Sequence, residues 1–480
     1  MSRPFAAAVV AALMASQAAA APLPADLILR HATIVDVAKG KTRADQAVVV
    51  RGGDIIAAGP DAATARRYSA SQSVDASGKF VMPGLWDMHV HFGGEQLIEE
   101  NKALLPLYVA FGVTTVRDCA EDISPSVLEW RSALAEGRLL GPTIYTSGPK
   151  LEGYKPIWHG TIEVGTPAEV DAALDRLQAM KVDFVKITDN TLKPDIFLYA
   201  VKAAKARGLK TSAHTPYGLT IQQAAEGGLS SIEHLDYLIK AGSPEEARIA
   251  ADYTVKKISY GDASDRFVDT FDAAYAKSAY RRLAATGIYV TPTLNMSRIL
   301  AYLDREDHRS DPGLAFIGPG LRKTYEWRVE RAAKSTPAQV AARHREYELS
   351  LKVLPMLRDA GIPILAGTDA GYLNSFNYPG VGLHDELQRY VEAGLTPRQV
   401  LASATLTGPA FLGHSDRYGS VSENKAADIL ILDADPLKDI AATRKIRGVV
   451  LKGKWLDRGT LDALLATARQ AASAPPPPPQ

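Results

Sequence analysis

The chain has 480 residues, of which 46% are hydrophobic, and its 55 basic and 54 acidic residues leave a formal net charge of +1. This length suits one large domain plus a smaller one, with a sizeable core. The near-neutral balance gives no global field to attract nucleic acid or anionic lipid, so neither partner is expected. Assembly into a homo-oligomer stays open.

The first 21 residues have the pattern of a secretory signal peptide. A short positive region precedes an alanine-rich apolar segment and a small-residue cleavage zone that ends at Ala21. The apolar run is short for a membrane span, and an uncleaved anchor is the alternative. Cys119 is the single cysteine, so no disulfide framework is expected. We therefore predict an exported, periplasmic protein.

Both ends of the chain are rich in short β-type segments separated by glycine turns. These segments lie in residues 26–82 and again in residues 415–460, where Ile429–Leu432 is the clearest case. The last ten residues, 471–480, contain five consecutive prolines and predict a disordered polyproline tail.

The middle of the chain, residues 83–414, alternates β-type and helical segments, which is typical of βα units around a parallel sheet. Eight such strands would form a (β/α)8 barrel, an α/β fold. A doubly wound open sheet is the alternative, but no Gly-x-Gly-x-x-Gly turn follows the first strand. The predicted strands end at His91, Arg117, Thr146, Ile187, His214, His234, Pro292 and Asp369.

Two connections in this middle part are longer than ordinary βα loops. Residues 243–269 and 296–361 contain helical patterns, such as 339–357. In a barrel, part of each would lie over the face where substrates bind.

The first strand of the middle part has an unusual polar face. Asp87, His89 and His91 alternate, so their side chains point to the same side of the strand. Neutral imidazoles at close range are good ligands for a divalent metal ion. Surface or core histidines are the alternative for an isolated His-x-His pair.

Other polar residues interrupt apolar strands at their predicted ends. They are Lys186, His214, His234 and Asp369. Residues at the carboxyl ends of barrel strands are typically catalytic rather than structural. Together with the first strand, they predict one metal cluster.

These motifs resemble those of the amidohydrolase superfamily, in its branch of metal-dependent dipeptidases related to prolidases and imidazolonepropionase. The resemblance covers residues 26–456. It implies a (β/α)8 barrel with a small composite β-sandwich built from residues 26–82 and 415–460. The motifs are Asp-x-His-x-His at 87–91, Gly-Val-Thr-Thr-Val-Arg-Asp at 112–118, Lys186, Ser-Ile-Glu-His at 231–234 and Ala-Gly-Thr-Asp at 366–369.

The resemblance also implies a site for two divalent metal ions. An unmodified lysine ammonium would repel them, so a carboxylated Lys186 is expected to bridge them. A lysine that snorkels or pairs with a carboxylate beside a single metal is the alternative. Zinc suits these ligands first, with manganese, iron or cobalt also compatible. The implied ligands are His89, His91 and Asp369 for one metal, and His214 and His234 for the other.

The implied reaction is hydrolysis of an amide carbon–nitrogen bond in a small molecule, a dipeptide or an N-acyl amino acid. A metal-bridging hydroxide attacks the carbonyl, and Asp369 passes a proton to the leaving amine. Other enzymes compatible with this site are a cyclic-amide hydrolase, a lactonase or organophosphate esterase, and a deaminase. A non-catalytic barrel scaffold is disfavoured, because a scaffold need not retain the complete ligand set.

Two further residues are candidate hydrogen-bond donors to the developing oxyanion. They are Tyr217, three residues after His214, and His159, in the loop after the third strand. Related dipeptidases have His-x-Tyr and Gly-His at these places, so the departures leave the substrate class open.

The roles of two other polar residues stay open. Arg117 could bind a substrate carboxylate, or form a structural salt bridge with Asp118 or Asp87. His384 follows the eighth strand and is a candidate pocket residue.

Overall fold

The computed structural model describes residues 21–120 and 122–473. The signal-peptide prediction therefore lies outside the described residues, except for Ala21. No helix in the described ranges is both long and apolar enough to cross a membrane. The strands are β1 (Leu23–Asp36), β2 (Lys41–Arg51), β3 (Asp54–Pro60), β4 (Tyr68–Asp75), β5 (Phe80–Pro83), β6 (Leu85–His91), β7 (Val113–Asp118), β8 (Thr143–Thr146), β9 (Leu151–Glu152), β10 (Ile162–Glu163), β11 (Val185–Ile187), β12 (Thr211–Ala213), β13 (Ser231–Glu233), β14 (Tyr289–Thr291), β15 (Ala370–Gly371), β16 (Ile429–Leu432), β17 (Ile446–Leu451) and β18 (Lys454–Asp457).

Helices connect most of the strands in the middle of the chain. Short 3-10 helices cover Glu95–Leu97, Pro312–Phe316 and Ile440–Arg444. The α-helices are α1 (Asp61–Ala65), α2 (Ile98–Ala103), α3 (Leu105–Ala110), α4 (Ser124–Ala135), α5 (Pro167–Ala179), α6 (Pro194–Ala206), α7 (Ile221–Gly227), α8 (Asp236–Ala241), α9 (Glu246–Thr254), α10 (Tyr260–Asp269), α11 (Ala273–Ala284), α12 (Leu294–Ala301), α13 (Pro319–Thr324), α14 (Glu326–Ala333), α15 (Pro337–Ala360), α16 (Val381–Glu392), α17 (Pro397–Thr405), α18 (Thr407–Leu412) and α19 (Arg458–Ala472).

The β-rich ends of the chain share one sheet. Its strand order is β18-β17-β16-β5-β1-β2-β3, and β4 pairs with β1 outside this path. The segments 27–29 and 32–35, which look like separate strands in the sequence, belong to the single long strand β1, whose register shifts between Leu29 and Ile34. Alternate residues such as Leu27, Leu29 and Ile34 are buried in the core beneath this sheet.

Parallel strands form the middle of the molecule. One sheet has the order β10-β9-β11-β12-β13-β14, and another has the order β15-β6-β7-β8. Backbone hydrogen bonds join the two sheets on both sides, where an open sheet would have free edges. These bonds run from Asp183 to Thr146, from Leu365 to Val290 and from Met88 to Ala366, with N–O distances of 2.9, 2.8 and 2.8 Å. The strand order is therefore that of a (β/α)8 barrel.

The predicted strand ends are close to the observed ones. The ends at His91, Thr146 and Ile187 are exact, whereas β7 extends one residue past Arg117. Strands β12, β13 and β14 each end one residue before the predicted position. The eighth strand is irregular: residues 363–369 bond to both neighbours, but the regular pairing with β6 begins only at Ala370.

Both long connections are helical. Residues 243–269 contain α9 and α10, and residues 296–361 contain α13, α14 and α15. Helix α15 starts before the predicted segment because Thr336 and Gln339 form a capping box at its N-terminus. At the chain end, α19 continues to Ala472, so the first residues of the predicted disordered tail are helical, and residues 474–480 lie outside the described ranges.

Candidate metal centre

Strand β6 brings two imidazoles together. All its residues are buried, and the Nε2 atoms of His89 and His91 lie 3.2 Å apart. Their Nδ1 atoms are held from behind, by Glu233 Oε2 at 2.7 Å and by the Ala120 carbonyl oxygen at 3.1 Å respectively. An imidazole that donates from Nδ1 presents the lone pair of Nε2, so both rings offer a metal ligand to the same point.

Asp369 lies beside the pair formed by His89 and His91. Its Oδ1 lies 2.9 Å from His91 Nε2 and 3.4 Å from His89 Nε2. Burial would raise the pKa of Asp369, but the hydrogen bond with His91 and the nearby His89 hold it well below its usual value. Asp369 has a φ of 64°, in the left-handed region that a non-glycine residue rarely adopts. Such local strain is common at functional sites.

The second pair of histidines comes from β12 and β13. The Nε2 atoms of His214 and His234 lie 3.0 Å apart, and His234 Nδ1 is 2.7 Å from Thr293 Oγ1. The His234 ring also lies near that of His89, with 5.1 Å between centroids. Ligand atoms of His89, His234 and Asp369 all lie within 4.8 Å of one another. The structure therefore brings all four histidines and Asp369 into one cluster.

Lys186 is near enough to this cluster for its charge to act on three of the histidines. It is 1% exposed, and its Nζ has no hydrogen-bond partner among the described residues. Burial lowers its pKa, and its charge acts to lower the pKa of His89 and of His214. An unpartnered ammonium here would be costly, since a buried charge needs a partner. A neutral amine that becomes a carbamate would remove that cost and supply oxygen ligands.

The electrostatics favour neutral imidazoles. Burial and Lys186 lower the pKa of His89 to about 3, and burial also lowers the pKa of His214 and of His234. Neutral imidazole is the form that binds metal ions. The orphaned Lys186 amine and this donor set together fit a pair of divalent cations.

A buried network around Glu233 supports His89, and sequence reasoning missed its role. Besides His89, the Glu233 carboxylate accepts hydrogen bonds from Arg117 Nη2 at 2.8 Å, from Ser212 Oγ at 2.5 Å and from Ser231 Oγ at 2.7 Å. Burial would raise the pKa of Glu233, but Arg117 and His89 hold it well below its usual value. Ser231 and Glu233 are two residues apart in β13, so their side chains point to the same face of the strand. This spacing could have indicated the network from the sequence.

Of the two roles considered for Arg117, the structural salt bridge is present, but its partner is Glu233 instead of Asp118 or Asp87. Arg117 is fully buried inside the barrel and pairs with Glu233 rather than with Asp118 or Asp87. Its Nε donates to the Met88 carbonyl oxygen, one residue before His89. A side chain in this position cannot contact a substrate.

Asp87 connects the first strand to the segment that carries Asp369. Its carboxylate accepts hydrogen bonds from Thr368 N at 3.0 Å and from Thr368 Oγ1 at 2.8 Å. Burial raises the pKa of Asp87 to about 7. The Asp-x-His-x-His motif thus combines two candidate ligands with a residue that positions a third candidate.

The two candidate oxyanion donors differ in their surroundings. Tyr217 is 6% exposed and packs among other aromatic rings, with its centroid 4.3 Å from that of Tyr260. His159 is exposed and has no hydrogen bond within the described part of the chain. Neither is held against the histidine cluster by a hydrogen bond, and their catalytic role stays a prediction.

Two residues that the sequence reasoning did not single out lie closer to His214. The Tyr237 ring stacks on His214, with centroids 6.0 Å apart, and its hydroxyl donates to Asp189 Oδ2 at 3.3 Å. Asp189 Oδ1 lies 3.9 Å from His214 Nδ1. Each follows a candidate ligand by three residues, Asp189 after Lys186 and Tyr237 after His234, and this spacing could have indicated them.

His384 does not face the pocket. It is 2% exposed, and its ring lies between Thr443 Oγ1 and the Phe111 carbonyl oxygen, each 2.9 Å away. Burial lowers its pKa to about 4, so the ring is neutral. The residue joins α16 to the segment that precedes β17, which is a structural role.

Comparison with known proteins places this site in a family. Residues 80–456 match the model of the Amidohydrolase family. The chain belongs to this family. It is therefore a hydrolase, and the predicted fold class is confirmed.

Several relatives span nearly the whole chain. Ochratoxinase from Aspergillus niger is 23% identical over 463 residues, which cover 91% of this chain and 87% of that protein. Among solved structures, bottromycin amidohydrolase has a TM-score of 0.71 at 20% identity and covers 94% of this chain and 91% of its own. A Xaa-Pro dipeptidase with bound methionine has a TM-score of 0.64 at 21% identity, covering 90% and 99%. At these identities the structural likeness shows a shared fold.

Proposed function

We propose that this amidohydrolase is a binuclear metalloenzyme that cleaves the amide carbon–nitrogen bond of dipeptides or N-acyl amino acids. The observation that carries the proposal is the cluster of four histidines and Asp369 together with the buried, unpartnered amine of Lys186, whose charge acts on His89, His214 and His234. The names of two structural neighbours, an amidohydrolase and a Xaa-Pro dipeptidase, describe enzymes that act on such bonds.

The described residues divide into ligands for two cations. His89, His91 and Asp369 would hold one, His214 and His234 the other, and a carboxylated Lys186 would bridge them. Zinc is the metal that we propose, given imidazole and carboxylate donors. When bound, such cations lower the pKa of water toward 7 and polarise a carbonyl group.

Asp369 has a second task in this proposal, which is proton transfer. Its carboxylate accepts a proton from the attacking water and delivers that proton to the leaving nitrogen. The depressed pKa of Asp369 keeps the carboxylate ionised before the reaction. The carboxylate lies 2.9 Å from His91 Nε2, where it would also be close to a bound water.

The first test combines metal analysis with a substrate screen. Protein purified without chelator should contain about two divalent ions per chain, and it should hydrolyse members of a dipeptide and N-acyl amino acid library. A single ion that added metal and bicarbonate leave unchanged would contradict the binuclear site. Efficient cleavage of lactones or phosphotriesters, with no amide cleaved, would contradict the substrate class.

The proton-transfer role predicts the behaviour of Asp369→Asn. The asparagine keeps the size and one oxygen ligand but cannot take up the proton, so turnover should fall by roughly 100-fold or more. Metal content measured on the same sample serves as the control. Near-normal turnover with both metals bound would assign the proton transfer to another group.

We also propose that the protein is exported to the periplasm. The support is the signal-like pattern of the first 21 residues. N-terminal sequencing of the mature protein should begin near Pro22, and a full-length cytoplasmic product would contradict export.

A further inference from the structure

Helix α14, in the insertion between β14 and β15, is attached to the loop that follows Asp369. The Trp327 indole and the Arg328 Nε each donate a hydrogen bond to the Leu373 carbonyl oxygen at 3.0 Å. Arg328 Nη2 donates to Asn374 Oδ1 at 2.6 Å. The guanidinium is therefore held in one place. The loop that holds it lies only a few residues after Asp369 in the chain.

This guanidinium has no anionic partner. No carboxylate among the described residues forms an ion pair with Arg328, and its Nη1 makes no hydrogen bond there. Nη1 is also not among the buried side-chain atoms that lack a hydrogen-bond partner, so this unpaired nitrogen is in contact with solvent. A fixed arginine with a free, accessible nitrogen is suited to bind an anion.

The charge of Arg328 interacts with that of Asp369. Burial lowers the pKa of Arg328, and Asp369 is the carboxylate that opposes this effect. The side chain is only partly exposed, although no residue of α14 is fully buried. Arg328 is thus near enough to Asp369 for the two charges to interact, and it is bonded to the loop that follows Asp369.

Other buried cations near the site are already engaged. Arg117 is bonded to Glu233. Lys240 Nζ donates to the carbonyl oxygens of Pro216, Tyr217 and Leu219. Arg117 Nη1 has no partner among the described residues, but the side chain is fully buried and out of reach of a ligand, which leaves Arg328 as the better candidate.

We propose that Arg328 binds the carboxylate of the substrate through Nη1 and thereby selects amides that carry a carboxylate beside the scissile bond. This inference rests on the proposed amide hydrolysis for its substrate, and it names the residue that sets the specificity. The insertion between β14 and β15 supplies this residue, and the loop after Asp369 fixes its orientation.

The kinetic test compares matched substrates. For the best N-acyl amino acid found in the screen and its C-terminal amide, Arg328→Gln should lower kcat/KM for the acid by roughly 10- to 100-fold, the scale of a charged hydrogen bond. The value for the amide should change by less than about 3-fold, within the scatter of neutral contacts. Arg331→Gln, an exposed position on the same helix, is the matched control. An equal fall for both substrates, or no fall for the acid, would overturn the proposal.

A binding test works without turnover and without metal. The Arg328 guanidinium lies 4.8 Å from the centre of the Trp327 ring, so indole fluorescence reports on its surroundings. In metal-depleted protein, N-acetyl-L-leucine should change this fluorescence more strongly than N-acetyl-L-leucinamide. The difference should vanish in Arg328→Gln, and the signal should vanish in Trp327→Phe. An equal or absent response to the two probes in the unmodified protein would overturn the proposal.

The two tests separate failure of the inference from failure of the proposed function. If the metal-loaded enzyme cleaves no amide but the acid is bound through Arg328, the function is wrong and the anion site stands. If amides are cleaved with no preference for the acid, the function stands and the role of Arg328 is wrong.

Discussion

Lys186 is the residue whose surroundings demand a chemical explanation. A lysine that is 1% exposed normally has a partner, and this one has none among the described residues. Its charge acts on histidines of both pairs, and the proposed carbamate would replace that charge with an anion that can hold cations. The amine must be neutral to react with carbon dioxide, and burial moves its pKa in that direction.

Replacing this lysine should therefore remove the bridge. Lys186→Ala should lose most of its bound metal and its activity, measured by elemental analysis and by amide hydrolysis. Short carboxylates such as acetate, added in solution, should restore part of both, because they can occupy the vacated space as bridging anions. Full activity in the variant without added carboxylate would refute the role.

Glu233 and Arg117 form a buried ion pair with both side chains fully buried. Removing one partner leaves an uncompensated charge, which typically costs about 3–5 kcal/mol. We expect Glu233→Gln to lower the free energy of unfolding by about that much and to weaken metal binding by roughly 10- to 100-fold, because His89 loses its carboxylate support.

The double variant Glu233→Gln/Arg117→Met tests whether this loss comes from the stranded charge. Its unfolding free energy, from denaturant titration, should be higher than the sum of the single changes predicts. Metal affinity should stay weak in the double variant, because the support of His89 is still missing. Simple additivity would show that the two residues act independently.

At the scale of elements, a buried carboxylate organises the loop after β11. Glu152, at the end of β9, accepts hydrogen bonds from the backbone N–H groups of Asn190, Thr191 and Leu192, at 3.2, 3.0 and 3.0 Å. Gly153 allows the close approach, since a Cβ there would clash with the Thr191 carbonyl group. The same loop carries Asp189, whose Oδ1 lies 3.9 Å from His214 Nδ1.

Glu152→Ala should therefore loosen this loop. Three backbone donors would lose their acceptor, at a cost of about 1 kcal/mol or more each. Hydrogen exchange of residues 189–193 should accelerate markedly, and the unfolding midpoint should fall. Glu163→Ala, an exposed neighbour that accepts one hydrogen bond from Lys155 N, is the control and should change neither. Unchanged exchange in Glu152→Ala would show that the loop is held by other contacts.

The strands of the barrel were predictable because their apolar runs end in polar residues that are unusual in a core. His91, Thr146 and Ile187 end strands as expected. The segment before Asp369 was harder, because its backbone bonds to two neighbours without regular pairing. The partners of Arg117, Glu152 and His384 could not be read from local patterns, since each lies on a distant part of the chain.

At the scale of the whole molecule, the first sheet depends on both ends of the chain. Strand β5 has β1 on one side and β16 on the other, and Gly84 N donates to the Asp428 carbonyl oxygen at 2.9 Å. β6, which carries His89 and His91, starts directly after β5. The candidate metal centre is thus tied to a sheet that the C-terminal strands complete.

A chain that ends after residue 420 should therefore fail to complete the first sheet and should aggregate. Without β16, the edge of β5 and the buried Val81 and Met82 would be exposed, and an unpaired edge favours aggregation. Light scattering should show large particles, whereas a chain that ends after residue 473 and keeps every strand and helix described above should stay monodisperse. A monodisperse, metal-binding product from the shorter chain would contradict this dependence.

The pairing of β5 with β16 also sets an order of events during synthesis. Nascent chains emerge N-terminus first, so β5 waits for its second neighbour until nearly all of the barrel has left the ribosome. Closing such a long loop is slow compared with local helix formation. If the protein crosses a membrane as its first residues predict, an incomplete first sheet is an advantage, because a chain that has not yet closed can still be threaded through a channel.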